Sequence, residues 1–185
     1  MSCNMKKLKV PDFFQASEVP IVHKFYRNYF KDCYVCGDVD YIFGPNTAFF
    51  DHCEIHSIAR VSEEKAYITA ASTPAGQEFG LIFSHCRITG EEPDSVYLGR
   101  PWRDCAKTAF ICCELGDHIC PEGWQNWGKV RAEVLSDYIE YGNFGPGADC
   151  SGRSPLSRCL VNPEVETYFS KENVLVGEDG WIPAE

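Results

Sequence analysis

Two short segments contain residues that could carry out nucleophilic chemistry beside a flat aromatic surface. In GDVDYIFG, residues 37–44, an acid at Asp40 precedes an apolar stretch, and in YLGRPW, residues 97–102, Arg100 stands two residues before Trp102. A guanidinium that forms paired hydrogen bonds with a carboxylate holds and orients the anion. A carboxylate held in this way can attack a carbonyl carbon. Because sugar rings stack on flat, partly wet walls such as an indole, these residue types indicate ester chemistry on a carbohydrate.

The same residues also fit simpler roles. Asp38 and Asp40 lie two apart, about 7 Å on a strand, so they could divide the roles of acid and nucleophile, yet they also fit solvated acids on an edge strand. Arg100 also fits an ion pair with a surface acid, and Trp102 fits the hydrophobic core, where tryptophan is often buried. Spacing alone leaves these alternatives open.

Composition and charge limit the function classes. The chain has 185 residues, 44% of them hydrophobic and 24% charged, which is typical of one soluble globular domain. Its formal net charge is −10, which argues against nucleic acid as a partner because phosphate binding needs clustered Lys and Arg. No segment approaches the ~20 apolar residues of a membrane span, so the sequence predicts no association with a membrane.

The N-terminal segment and the cysteines suggest a compartment. MSCNMKKLKVPDFF has positive charge without a following apolar run, so no secretory signal is recognised. There are 11 cysteines, an odd number, and Cys112 and Cys113 are adjacent. We therefore expect mostly reduced, buried thiols and a cytoplasmic location. If a leader has been removed from the N-terminus, the expected location is secreted instead.

A short internal repeat predicts a solenoid. The pattern is Phe, two residues, Cys, one residue and an aliphatic, and its copies start 20, 33 and 27 residues apart, the spacing of coils with variable loops. On a strand, Cys and the aliphatic face one way, while Phe belongs to the other face or to a bend. The copies are Phe30-Cys33-Val35, Phe50-Cys53-Ile55, Phe83-Cys86-Ile88 and Phe110-Cys113-Leu115.

The secondary structure expected from the sequence is almost entirely β. A segment at 162–170, with an Asn cap and a Pro at the first helical position, predicts one short C-terminal helix. Pattern alone leaves an antiparallel sandwich as the rival to a parallel β-helix. The predicted strands are rich in Val, Ile, Tyr and Phe and cover 34–43, 48–55, 66–70, 80–88, 95–98, 108–115 and 138–141.

A zinc site is the main alternative for the cysteines. Cys33 and Cys36 are followed by Cys53 and His56 with the spacing of a small zinc ribbon. Two of these cysteines belong to the repeat, which favours a stacked core instead. We therefore expect no metal and no cofactor. The sequence also contains no Gly-x-Ser-x-Gly elbow of a serine esterase.

Several motifs occur in the order in which the pectin methylesterases have them. Besides the two segments above, they include YITAAS, GLIFSHCRITG, HICPEGWQNWG, EYGNFGPGADCSGR and ENVLVGEDGWIP. Over residues 25–183 the chain resembles this family, and the residues within its motifs resemble those of the bacterial branch most. The resemblance implies an all-β fold, a right-handed parallel β-helix of the pectin-lyase-like type with a short C-terminal helix.

The resemblance also implies roles for particular residues. The family's nucleophilic aspartate corresponds to Asp40, and the arginine that orients it corresponds to Arg100. Trp102 then lines the sugar site, and Tyr41 borders the cleft. The resemblance further suggests that Trp124 and Trp127 extend the aromatic wall.

One family motif is missing. Pectin methylesterases carry a general acid and an oxyanion donor in a Gln-Asp-Thr motif upstream of the nucleophile, and this chain has no such triplet. The sequence therefore identifies neither group. We expect residues 1–24 to be a variable N-terminal segment or loop remnant, and 25–185 to be the C-terminal part of a pectinesterase β-helix domain.

Two functional classes follow from this resemblance. The first is a pectinesterase that removes methyl esters from galacturonate units of pectin. The second is a non-catalytic relative, or an inactive fragment, that still binds pectin or oligogalacturonides. In both classes the expected partner is methylated pectin or oligogalacturonides. An open coil end would also favour association with another chain.

Overall fold

The computed structural model describes residues 8–9, 26–62, 64–177, 179–181 and 183. In these residues every strand pairing is parallel, so the antiparallel sandwich is ruled out. The strands are β1 (Leu8–Lys9), β2 (Arg27–Lys31), β3 (Tyr34–Gly37), β4 (Ile42–Gly44), β5 (Thr47–Asp51), β6 (Glu54–Ser57), β7 (Ala66–Ala71), β8 (Leu81–Ser84), β9 (Arg87–Gly90), β10 (Val96–Pro101), β11 (Lys107–Ile111), β12 (Glu114–Leu115), β13 (Asp137–Tyr141) and β14 (Ser157–Leu160).

Successive coils of the chain build three parallel sheets. Each coil contributes one strand to each sheet before the next coil begins, as in β5, β6 and β7 and then β8, β9 and β10. The strand orders are β1-β4-β7-β10, β14-β13-β11-β8-β5-β2 and β12-β9-β6-β3. Residues one coil apart therefore lie side by side, which is the arrangement that a sequence repeat of this length predicts.

The repeated phenylalanines form a continuous stack inside the coils. Phe30, Phe50, Phe83 and Phe110 are partners in register, and their neighbouring ring centroids lie 4.5–4.7 Å apart. The repeated cysteines stack beside them: the thiols of three copies each donate to the carbonyl of the phenylalanine one coil earlier, at 3.4–3.5 Å. The predicted repeat is thus confirmed as a column of coils.

A sharp corner follows each repeated phenylalanine. The residue immediately before each repeated cysteine, namely Asp32, His52, His85 or Cys112, has φ between 50° and 53°, a left-handed conformation that non-Gly residues seldom adopt. This corner lets Phe and Cys, three residues apart, both point into the core. Of the two placements expected for Phe, the bend is therefore confirmed and the other face is wrong. The segments predicted as single strands at 48–55, 80–88 and 108–115 are each two strands joined by a corner.

The described residues form three short helices, of which the last two cover part of the six-stranded sheet. They are α1 (Ala132–Leu135), α2 (Glu164–Tyr168) and α3 (Lys171–Leu175), so the predicted C-terminal helix is present as α2 and is followed by a second one. Asn162 Oδ1 accepts from the Glu164 amide at the start of α2. Val165, Phe169 and Leu175 pack on the outer apolar face of the sheet, which includes Phe49 and Ile82. In the described part of the chain no helix is long and apolar enough to span a membrane.

The cysteines of the described residues are mostly free thiols. Cys150 and Cys159 form a disulfide and Cys36 is also disulfide-bonded. The four residues of the zinc alternative do not form a cluster of metal ligands in the part of the chain that is described. Cys53 instead lies in the core beside Cys33, whose amide donates to its sulfur, and His56 Nδ1 contacts the Thr89 hydroxyl.

Candidate active site

The two segments singled out in the sequence meet on the outer face of the sheet β1-β4-β7-β10. Arg100 lies in β10 and Asp40 stands two residues before β4, with β7 between the two strands. The Asp40 amide donates to the Tyr67 carbonyl at 2.7 Å, which places Asp40 against β7. Residues 60 apart in the chain thereby become neighbours.

Asp40 and Arg100 form a bidentate ion pair. Arg100 Nε lies 3.0 Å from Asp40 Oδ1, and Nη2 lies 2.5 Å from Oδ2. Their side chains are 14% and 17% exposed, so the pair is largely desolvated yet reachable from the surface. Asp40 has φ 48°, and aspartate is one of the few residues that tolerate this region. Paired, charge-assisted hydrogen bonds of this kind hold a carboxylate in one orientation.

The guanidinium of Arg100 also lies over two aromatic rings. Its Cζ lies 4.1 Å from the ring centroid of Tyr67 and 4.5 Å from that of Trp127. Such contacts stabilise the cation and restrict its motion. The Tyr67 hydroxyl donates to Gln125 Oε1 at 2.7 Å. Burial raises the pKa of Tyr67, although Arg100 opposes that rise, so the phenol stays protonated at neutral pH.

Exposed indoles stand beside this pair. Trp102 is 39% exposed and stacks on Phe43 with ring centroids 5.6 Å apart. Trp127 is 46% exposed. Lys129 links the two, because its Nζ donates to the Trp102 carbonyl at 2.5 Å and lies 4.9 Å from the Trp127 ring. The structure therefore places two of the predicted wall residues at the surface next to Arg100.

Two residues predicted for the cleft are buried in the core instead. Tyr41 is 0% exposed and its hydroxyl hydrogen-bonds with Ser57. Its neighbour Asp40 lies at the bend before β4 and remains partly exposed. Trp124 is 1% exposed and donates from Nε1 to Glu140. Both expectations are corrected: neither ring has surface available to a ligand.

Asp38 does not share the ion pair. Its Oδ1 accepts from the Val39 amide at 2.8 Å, a local contact within the turn before β4. Arg100 binds Asp40 alone of the two acids. The spacing of the two carboxylates suggested a shared role, but the contacts separate them. The groups of possible metal ligands in the described residues do not include either acid.

Tyr67 and Gln125 are site residues that sequence analysis missed. Both touch or support the Arg100 guanidinium, and Tyr67 lies within the motif YITAAS. An aromatic residue in a strand is usually core, so nothing local marks Tyr67 as an outward-facing residue. Only its position in β7, the strand between β4 and β10, brings its ring against the guanidinium of Arg100.

Comparison with known proteins gives one consistent family. The family model described as Pectinesterase matches residues 15–178. Pectinesterase 31 of Arabidopsis thaliana is 39% identical over 140 residues, which cover 75% of this chain and 43% of that protein. The chain spans about half the length, or less, of the relatives that it matches.

Solved structures agree with the sequence comparison. A pectin methylesterase from carrot superposes with a TM-score of 0.75 at 28% identity, covering 84% of this chain and 52% of that one. A pectin methylesterase in complex with a hexasaccharide superposes with a TM-score of 0.68 at 27% identity, covering 85% and 53%. The predicted right-handed parallel β-helix is thereby confirmed.

Proposed function

The chain belongs to the pectinesterase family, and from that premise we propose that it hydrolyses methyl esters of galacturonate units in pectin, with Asp40 as the nucleophile. The observation that carries the proposal is the bidentate Asp40–Arg100 pair, partly exposed on a sheet face, with the exposed indole of Trp127 against the guanidinium and that of Trp102 two residues after Arg100 in the chain. A carboxylate oriented by a guanidinium, with an aromatic surface for a sugar ring beside it, suits ester chemistry on a polysaccharide.

The proposed reaction has two steps. A carboxylate oxygen of Asp40 attacks the C6 carbonyl carbon of a methylated galacturonate, and the bond to the methoxy group breaks. The leaving oxygen takes up a proton and departs as methanol, which leaves an anhydride between Asp40 and the sugar acid. Water then adds to the anhydride, releases the galacturonate and restores the Asp40 carboxylate.

Arg100 supports this reaction by holding the nucleophile. Tyr67 and Trp127 lie against its guanidinium. The guanidinium therefore cannot rotate away from Asp40 without losing both ring contacts. Both carboxylate oxygens accept from Arg100, and a remaining lone pair on one of them can attack the substrate while the hydrogen bonds keep the carboxylate oriented. Preorganisation of this type lowers the reorganisation that accompanies the reaction.

Trp102 is proposed to supply a sugar-stacking surface. Replacing Trp102 by Ala removes an exposed ring while leaving the Asp40–Arg100 pair, so we expect the Kd for oligogalacturonides to rise about 3- to 10-fold. Titration calorimetry measures this change. Trp181→Ala is the matched control, because Trp181 is 40% exposed and contacts Arg27, in β2 of another sheet. An equal loss in both variants would contradict a specific role for Trp102.

The alternative is a relative that binds pectin without hydrolysing it, and one experiment separates the two. Methanol release from highly methylated pectin is measured with the full chain and with heat-unfolded chain as the control. Oligogalacturonide binding is measured on the same preparation. Release above the control supports the esterase, whereas binding without release supports the alternative. Neither release nor binding would contradict both.

We also propose that the coil end formed by β2 and β3 associates with another chain. These are the end strands of their sheets in the described part of the chain, and unpaired strand edges favour such pairing. Light scattering during size-exclusion chromatography tests the proposal. A monomer at all concentrations would contradict it.

A further inference from the structure

A row of potential metal ligands follows one corner of the β-helix, away from the candidate active site. The corner residues His52, His85 and Cys112 lie in successive coils, and the imidazole rings of the two histidines stack at 5.2 Å. Glu166, in α2, faces this corner: its Oε1 lies 3.8 Å from His85 Nε2. One ligand atom from each of His85, Cys112 and Glu166 lies within 4.8 Å of the others.

The atoms in this group are available to an ion. The Ser84 hydroxyl contacts His85 Nδ1 at 2.9 Å, which leaves Nε2 as the nitrogen that faces Glu166. A hydrogen bond to the second ring nitrogen is the usual way in which a protein orients a metal-binding histidine. Cys112 is a free, partly buried thiol, and Glu166 is exposed.

Two comparable groups in the described residues already have their charges satisfied. Asp94, Cys120 and Glu122 lie together, but the ammonium of Lys65 binds Asp94 at 2.7 Å and occupies the position of a cation. In the second group Cys150 and Cys159 are joined as a disulfide, and Glu140 binds Arg153. Among the described residues, the group at the corner has neither a disulfide nor an ion pair with Lys or Arg.

The chemistry of the donors selects the kind of ion. One imidazole nitrogen, one sulfur and one carboxylate oxygen suit a borderline ion such as Zn²⁺, whereas Mg²⁺ and Ca²⁺ prefer oxygen ligands only. Burial, and then the charge of Glu166, raises the pKa of Cys112. A divalent ion between the two would reverse that effect and release the thiol proton.

We propose that His85, Cys112 and Glu166 form a binding site for a divalent transition metal ion of the zinc type. Solvent would complete the tetrahedral coordination. His85 and Cys112 belong to consecutive coils and Glu166 to α2, so the ion would cross-link the C-terminal helices to the corner. Such binding would stabilise the folded chain by an amount that rises with the logarithm of the ion concentration above the Kd.

The test uses the full chain and the metal alone. Titration calorimetry with Zn²⁺ is expected to show one site, and Co²⁺ is expected to produce a thiolate-to-cobalt absorption band in the near ultraviolet. Cys112→Ser should abolish that band. Glu166→Gln should weaken Zn²⁺ binding by about 100-fold or more, because loss of a residue that only supports a metal ligand weakens binding by about 10- to 100-fold. Neither readout depends on esterase activity.

Matched controls keep the result interpretable. Cys105→Ser removes another free thiol, and Glu164→Gln removes another exposed acid of α2, so both should bind Zn²⁺ like the parent chain. Glu166 is exposed, and the fold of its Gln variant can be verified by circular dichroism. Absent Zn²⁺ binding, or binding that survives both Cys112→Ser and Glu166→Gln, would overturn the proposal.

Discussion

Replacing Asp40 with Asn is expected to abolish methanol release from methylated pectin. The amide has nearly the same shape as the carboxylate, but it is neutral and cannot form the anhydride intermediate. Loss of a nucleophile lowers kcat by about 10⁴-fold or more in hydrolases that depend on one. The change is measured as the initial rate of methanol release by the variant and by the parent chain under identical conditions.

Asp38→Asn is the matched control for this prediction. Asp38 stands two residues away on the same segment, yet its carboxylate accepts from the Val39 amide, and Arg100 binds Asp40 instead. We expect it to retain most of the parent activity, and we expect both variants to bind oligogalacturonides. Parent-like release from Asp40→Asn would show that another group is the nucleophile.

Glu140→Gln is expected to lower the free energy of unfolding by about 3–5 kcal/mol, because it breaks a buried ion pair. Glu140 and Arg153 have side chains only 2% and 5% exposed and meet through two hydrogen bonds of 2.9 and 3.0 Å. The variant leaves the guanidinium buried without an anionic partner. Urea denaturation monitored by tryptophan fluorescence measures the loss.

The same substitution is expected to disturb the candidate active site. Glu140 Oε1 also accepts from Trp124 Nε1, and Trp124 forms a bridge to Gly99, next to Arg100. Arg153 further donates to the carbonyls of Cys120 and Pro121. The buried pair thus holds in place the segment that contains Trp127, whose ring lies against the guanidinium of Arg100. Weaker binding of oligogalacturonides should therefore accompany the loss of stability.

An exposed ion pair provides the comparison for this stability prediction. Arg158 and Asp137 form a pair with side chains 59% and 37% exposed, and such pairs contribute about 0–1 kcal/mol. Asp137→Asn should therefore leave the urea midpoint nearly unchanged. If Glu140→Gln were equally harmless, the buried pair would not hold this part of the fold.

The coil architecture was predictable because it repeats in the sequence. Phe, Cys and an aliphatic recur at coil-length intervals, and identical apolar side chains one coil apart bury each other by stacking. The start of α2 was predictable for a local reason, because Asn162 caps it through a contact two residues away. The corners were not, since Asp and His are enriched at positive φ but still adopt negative φ at most positions, and Cys is not among the enriched residues.

For the site, the sequence by itself determined the chemically capable residues, Asp40 and Arg100, and the aromatic character of their surroundings. Only the tertiary structure decided which aromatic rings reach the surface. Tyr41 and Trp124 point into the core, while Tyr67 and Trp127 lie against the guanidinium. The physical reason is that corner geometry and coil register decide whether a side chain points into the core or towards the surface. Both depend on residues far apart in the chain, so they leave no local pattern in the sequence.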